Sequence, residues 1–333
     1  MAWLMPDEPF TRASPWPPEH AHSVIDLASA EVPSGAAWLV NCLLELGIPA
    51  WQPWGSNDCA HWRRLDNGGY RYVGGDNGWS RVLPALQADR EFRFRDDVRV
   101  RAHHTWPGVF PAADRRILFV RDPRDALCSA WRRHLRLEAL PRQDFAAFRN
   151  SRFFHYPVSW QDYLLLFLRV WRLSAEKDPI RIVRFEDYRQ DAEATLGAVT
   201  AWLGIEAAPD AIRHAAEVSS VQRIEAEDRR LVRLGVVETP LVRGVAPGEH
   251  ERMLDPAERL DLDHRFDDVC EWLGYRRTST SAARGHAPPP PGLHPGVMDA
   301  MRRAGVVFRE DGWLSDAVSA SLAGIDFVQP DPP

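Results

Sequence analysis

The stretch Arg116–Arg133 constrains the fold of this chain more than any other. It opens on a short apolar run, Ile117-Leu118-Phe119-Val120, with the length and composition of a buried strand. A turn follows at once in Arg121-Asp122-Pro123-Arg124-Asp125, and Ala126-Leu127-Cys128-Ser129-Ala130-Trp131 reads as the first turns of a helix. Pro123 supplies a fixed φ near the helix start, where its missing N–H costs nothing, and Asp122 is suited to cap it. Such a strand–turn–helix unit carries an arginine at the strand's carboxyl end and a hydroxyl, Ser129, further into the helix. Helix N–H groups, a guanidinium fork and a serine hydroxyl that converge can hold a phosphate. The same residues also suit an ordinary Arg–Asp ion-pair cluster on a loop, and the stretch alone leaves both readings open.

A second unit of the same kind precedes it. Ser23-Val24-Ile25-Asp26-Leu27-Ala28 is a short strand candidate, Ser29–Gly35 a loop, and Ala36–Gly47 a run with apolar residues at helical spacing that stops at a glycine. The small pair Ser34-Gly35 lets backbone N–H groups approach phosphate oxygens closely, although many helices begin this way. Val98-Arg99-Val100-Arg101-Ala102 alternates as a strand does and delivers His103 and His104 at its end, either as a general base or as a hydrogen-bonded structural pair. Ile180–Phe185 is a further strand. Trp160–Arg172, Ala192–Gly204, Pro209–Ser220 and Asp255–Gly274 are expected helices, the last a single long one with Pro256 in its first turn. Glu225–Val242 is polar enough to be expected as a loop. The segment 49–90 is rich in aromatic residues (Trp51, Trp54, Trp62, Tyr70, Tyr72, Trp79) and is read as lining a substrate cavity, the alternative being a small apolar subcluster under a long loop. Strands that alternate with helices predict an α/β fold, a parallel sheet flanked by helices, with ligands bound outside the carboxyl ends of the strands. Ser34-Gly35, His103/His104 and Arg121…Ser129 all fall at that edge.

Composition narrows the function classes. A chain of 333 residues, 45% hydrophobic and 26% charged, builds a full-sized core, and a net charge of −6 argues against a general nucleic-acid binder. Lys177 is the sole lysine, so arginine carries nearly all the positive charge and offers no proton donor near neutral pH. Cys42, Cys59, Cys128 and Cys270 form no CxxC pair, and three lie in apolar periodic stretches, as buried free thiols of a reducing cytoplasm do. No run reaches membrane-spanning length and Met1–Phe10 lacks a signal pattern, so a soluble, cytoplasmic protein without membrane or nucleic-acid partners is expected. The expected organisation is a proline-rich arm at 1–22, an α/β domain at 23–275, a proline-rich linker at 276–296 containing Pro288–Pro291, and a helical appendage at 297–333.

With these residues in order, the chain resembles the sulfotransferases that use 3′-phosphoadenosine 5′-phosphosulfate (PAPS). Arg121-Asp122-Pro123-Arg124-Asp125 with Ser129 is similar to that family's 3′-phosphate motif. Arg184-Phe185-Glu186-Asp187-Tyr188, followed by Ala192–Leu196 and closing at Trp202-Leu203-Gly204, resembles its Tyr-Glu-Asp-Leu strand and helix. Arg243-Gly244…Gly248-Glu249-His250 resembles its late loop, and Trp272-Leu273-Gly274-Tyr275 its usual ending. The chain departs from the family in the 5′-phosphosulfate loop, where Pro33 stands at the lysine position and Ala36 and Ala37 at the two threonines, and again at His250, where the family has tryptophan.

The resemblance implies a P-loop-like three-layer fold and an enzyme that transfers a sulfuryl group from PAPS, leaving PAP, to a hydroxyl or amine of a small molecule such as a bacterial secondary metabolite, without a metal. It implies that Arg121, Ser129, Arg243 and Gly244 hold the 3′-phosphate end, and that Ser34, Gly35, Ala36, Ala37 and Trp38 serve the 5′ end, Trp38 lying beside the adenine or in the core. It casts His103 or His104 as the base: a basic-x-His pattern through Arg101 favours the first, the spacing to Pro107 the second. Proline offers neither charge nor N–H, so an arginine, Arg101 or Arg132, is a candidate to replace the lysine. Electrostatic help of that kind is worth about 10²–10³ in rate. The alternative is a protein of this fold that has lost or changed the transfer chemistry. A phosphate-transferring kinase is disfavoured, because no GxxxxGK[ST] loop occurs. The family often forms dimers, so a homodimer is a further expectation.

Overall fold

The computed structural model describes residues 23–52, 62–74, 82–86, 90–110, 112–135, 143–154, 156, 158–240, 242 and 246–276. Four expectations fall outside them: the arm at 1–22, the linker and appendage beyond 276, Trp54 and Trp79, and the site candidates Arg243 and Gly244. In chain order the elements begin β1 (Val24–Ala28), α1 (Ala36–Glu45), β2 (Ala50–Trp51), β3 (Trp62–Arg64), β4 (Tyr70–Tyr72), β5 (Glu91–Phe92), β6 (Arg99–His103) and β7 (Arg115–Val120). They continue with α2 (Pro123–His134), α3 (Phe145–Asn150), α4 (Trp160–Lys177), β8 (Ile180–Arg184), α5 (Phe185–Gln190) and α6 (Ala192–Leu203). The last are α7 (Pro209–Val218), α8 (Val221–Arg233), α9 (Glu249–Met253), α10 (Pro256–Arg265) and α11 (Asp267–Leu273).

The alternation of strand and helix closes as expected into a parallel sheet of five strands in the order β2-β6-β1-β7-β8. Successive side chains on a strand face opposite ways, and both faces here are apolar. Ala28, Leu118 and Val120 pack on one side with Leu127, Leu164 and Trp171 from α2 and α4. Ile25, Leu27, Ile117 and Phe119 pack on the other with Leu39, Leu43 and Val199 from α1 and α6. Burial of each such side chain contributes about 1.5–3 kcal/mol, which fixes the register. That register sets Ala28 beside both His103 and Leu118, and Val120 beside Arg184, so the strand tips share one edge.

Three expectations are corrected. Glu225–Val242 is not a loop throughout: α8 runs over Val221–Arg233 and buries Val221, Ile224 and Leu231, an i, i+3, i+10 stripe hidden among charges that pair along the helix (Arg229–Glu225 and Arg230–Glu227). Asp255–Gly274 is two helices, broken where Phe266, fully buried, leaves helical geometry at φ −103°, ψ 11°. The aromatic segment builds a three-stranded antiparallel sheet, β3-β4-β5, in which Trp62 packs edge-on against Tyr72, Phe92 and Phe94 at 5.3–5.5 Å between ring centroids. Among the described residues these rings pack on one another and into the same apolar cluster as Ile25, Leu39 and Val199. Trp51 is likewise buried, on the edge strand β2. Cys42, Cys128 and Cys270 are buried free thiols. No helix among the described residues is long and apolar enough to cross a membrane.

Candidate active site

Four segments leave the carboxyl edge of the sheet side by side: the loop 29–35 after β1, His103–Thr105 after β6, Arg121–Asp122 after β7, and Phe185–Glu186 after β8. The first loop turns into α1 through Gly35, whose φ of +88° is left-handed. A Cβ there would stand 2.7 Å from Cδ2 of Phe185, so glycine is demanded by conformation and by contact. Arg121 lies over the same Phe185 ring, its guanidinium carbon 5.0 Å from the ring centroid. Arg121 Nη1 also reaches the Pro33 carbonyl at 3.5 Å. Loop, ring and guanidinium therefore meet in one cluster built from the ends of β1, β8 and β7. Phe185 was not singled out in the sequence, because nothing in a lone aromatic after a strand distinguishes this role.

The Arg-Asp-Pro-Arg-Asp motif splits between the two readings left open above. Arg124 is 2% exposed and fully engaged: its Nε and Nη2 donate to Asp122 at 2.9 and 2.6 Å, its Nη2 also to the Arg276 carbonyl at 2.8 Å, and its Nη1 pairs with Asp263. Asp122 caps α2 as expected, accepting the Arg124 N–H at 3.0 Å. Asp125 accepts the N–H groups of Gly248 and His250 at 2.8 and 2.9 Å and the His250 Nδ1 at 2.6 Å. Burial works to raise the Asp125 carboxyl, but these bonds and nearby Arg121 hold it below the ordinary value. These three residues are the ion-pair cluster. Arg121 differs. It is 8% exposed, yet its Nε and Nη2 make no hydrogen bond among the described residues, and its nearest carboxylate, Glu249, stands 3.5 Å away. A buried guanidinium with idle donors is costly unless an anion completes it. Ser129 lies half-buried on α2, one turn past Asp125 on the same helix face.

The two histidines part ways. His103 is buried (3% exposed), with Nδ1 3.0 Å from Thr105 Oγ1 and Nε2 3.7 Å from Asp26, beneath the rings of Phe110 and Trp171. Asp26 in turn accepts from Arg101 Nε at 2.7 Å, and that guanidinium lies over Phe110. Burial acts to raise the Asp26 carboxyl, and His103 and Arg101 outweigh it, so it is held below the ordinary carboxylate range. Arg101 is thus bound inside the sheet face rather than aimed at loop 29–35. His104 turns outward, partly exposed, with Nδ1 3.0 Å from Ser29 Oγ and 3.2 Å from the Ser29 carbonyl. A carbonyl only accepts, so Nδ1 carries the proton and Nε2 presents its lone pair. Desolvation pushes this imidazole down to about 4, opposed by the Ser29 carbonyl and aided by His103 next to it.

Ser34 is buried at the loop, where its Oγ lies 3.4 Å from the Ala36 N–H, a long contact. Ala36 is buried and Ala37 half-buried in the first turn of α1. Trp38 belongs to the core: its Nε1–H donates to the Ser219 carbonyl, and its ring packs on Tyr188 and Phe185. Arg132, one turn beyond Ser129 on α2, ion-pairs with Glu249. Glu249 and Asp125 stand in the sequence only as members of their motifs; their individual roles were not anticipated, since their partners lie more than 100 residues away in sequence. A shallow groove of about 500 Å³ between α6 and α7, lined by Thr200, Ile205 and Ile212, lies toward the opposite edge, near the start of β7.

Residues 95–232 match the family model described as the sulfotransferase domain, so for that stretch the resemblance drawn from the motifs holds. The stretch contains Arg101, His103, His104, Arg121 and Ser129, and excludes Ser34–Trp38 and Arg243-Gly244. No curated protein matches the sequence. Among solved structures, a mouse sulfotransferase complexed with PAP is similar at 18% identity and TM-score 0.49, over 76% of this chain and 87% of its own. A retinol dehydratase in complex with retinol and PAP is similar at 14% identity and TM-score 0.49, over 77% of this chain and 83% of its own. The same enzyme name recurs in a complex with androsterone and inactive cofactor PAP, at 15% identity, TM-score 0.49, and coverage of 79% and 84%.

Proposed function

We propose that this chain, starting from the sulfotransferase-domain match of residues 95–232, transfers a sulfuryl group from PAPS to a hydroxyl or amine of a small molecule. The observation that carries the reading is Arg121: buried, stacked on Phe185 beside the Gly35 turn, with two nitrogens that lack hydrogen bonds among the described residues. These residues fit an adenosine donor bearing phosphates. Arg121 and Ser129 would hold one phosphate, and the N–H groups following Ser34-Gly35, through Ala36 and Ala37, the other. Arg243 and Gly244 would complete the grip from the late loop. The donor, when bound, supplies the activated sulfuryl group.

The chain's own contribution to the chemistry is positional. His104 Nε2 is the base for the acceptor, its tautomer set by the Ser29 carbonyl behind it. An imidazole with a value near 4 is neutral at pH 7, and it takes the proton as the acceptor atom gains positive charge in bond formation rather than before. His103, held by Thr105 and facing Asp26, fixes the tip of β6 from below. Arg121 Nη1 reaches the carbonyl of Pro33 at 3.5 Å, so its guanidinium brings a positive charge to the loop position that lacks a lysine.

A second reading, binding without transfer, is favoured by that same loop. Arg101 is committed to Asp26 and Arg132 to Glu249, and Pro33 adds no charge. Calorimetric titration of the full chain with PAP separates the readings when run beside an assay of sulfate transfer to a panel of phenols, alcohols and amines. Saturable PAP binding that Arg121→Met weakens about 10- to 100-fold is expected. Failure of the wild-type chain to bind PAP sinks both readings. Binding with no product, unrelieved by Pro33→Lys, leaves the binding protein.

A further inference from the structure

Glu249 opens α9 with 1% of its surface exposed, between two guanidinium groups. Arg121 Nη2 lies 3.5 Å from one carboxyl oxygen, and Arg132 Nη1 forms an ion pair with the other. Neither oxygen makes a well-formed hydrogen bond among the described residues, and neither do Arg121 Nε and Nη2. The three groups come from the end of β7, the last turn of α2 and the start of α9. Their positions are not accidental to a loose loop: Asp125 clamps the backbone N–H groups on both sides of Glu249, at Gly248 and His250, and the His250 ring as well. Asp125, Ser129 and Arg132 lie on one face of α2, and the clamp lays Glu249 against that face.

We infer that Glu249 is a built-in counter-anion of the donor site, competing with a ligand phosphate for Arg121 and Arg132, and that Arg132 is a further phosphate-binding residue. The inference rests on the donor-site reading above. Two guanidiniums left together without an anion repel and are poorly solvated, so a carboxylate between them relieves the free protein. The same carboxylate cancels one of the two positive charges an incoming anion would meet. A dianionic phosphate still gains more from the pair than a singly charged carboxylate does, whereas a monoanion gains little. Glu249 therefore tunes the site toward a terminal phosphate monoester and keeps product affinity low enough for release.

The test is calorimetric titration of PAP into the full-length chain and its Glu249→Gln and Arg132→Gln variants, at low and moderate salt. Glu249→Gln is expected to bind PAP about tenfold more tightly, with a steeper salt dependence, because a repelling charge is gone. Arg132→Gln is expected to bind about tenfold more weakly. Equal or weaker binding by Glu249→Gln overturns the inference, since it makes the carboxylate a positioning group for the arginines. Should that variant not fold, by far-ultraviolet dichroism, Arg132→Gln decides alone: unchanged affinity overturns the inference. Absence of PAP binding by the wild-type chain removes the donor-site reading itself and this inference with it.

Discussion

His103 and His104 are adjacent in sequence at the tip of β6, and strand geometry turns their side chains opposite ways. One faces the Asp26–Arg101 pair and the other faces Ser29. If His104 is the base, kcat/KM stays level from neutral pH down to about 5 and falls on protonation near 4, rather than near the 6.5 of a free imidazole; a pH–rate profile reads this directly. The same group bears on stability. Its folded value lies below its unfolded one, so the unfolded chain binds more protons and folding weakens as pH falls from about 6.5 toward 4. The sequence made both histidines visible but not which one faces outward, because one residue of register decides that and the flanking alternation leaves it open. Arg121 and Arg124 tell the same story three residues apart. Their identity was legible; the partners Asp263 and Glu249, which settle that one is saturated and the other poised, come from distant segments.

Among the elements, α2 is the one whose sequence was most informative. Proline at its first turn and aspartate before it are local signals, and the structure has both where expected. Asp122 does more than cap, since it also accepts two bonds from the buried Arg124 side chain. Asp122→Ala is therefore expected to cost about 3 kcal/mol, the sum of a lost cap and lost charge-assisted bonds, measured as a lower urea midpoint with unchanged slope. A cost under 1 kcal/mol would mean that Asp263 and the Arg276 carbonyl suffice for Arg124. The α8 segment shows where local signals mislead. Its charges dominate the sequence, and the few apolar residues that seat it become evident only once Leu231, Ile224 and Val221 are seen buried. The aromatic sheet β3-β4-β5 misled for the converse reason: rings suit a ligand cavity and one another equally well, and proximity decided for the latter.

For the whole molecule, the sheet is the rigid part and the site hangs from its edge. β1 lies at the centre with β6 and β7 on either side, and both of its faces are covered. Backbone amides of Leu27 and Leu118 are accordingly expected to exchange with solvent only on global unfolding, while those of β3 and β4 exchange earlier through local opening; native-state hydrogen exchange would show the order. Equal protection of the two sheets would contradict it. A rigid edge suits a site built on four strand ends, because each needs only a short loop to reach the common point. By itself the sequence determined the central strands β1, β6, β7 and β8, most helices, the Asp122 cap of α2 and the candidacy of Arg121 and Ser129 for an anion, since periodicity, proline, glycine and side-chain chemistry act over a few residues. Only the tertiary structure decided which arginine is idle, which histidine faces out and that Glu249 stands between two guanidiniums. Those facts depend on burial and on Coulombic partners drawn from segments that meet only after the chain has folded.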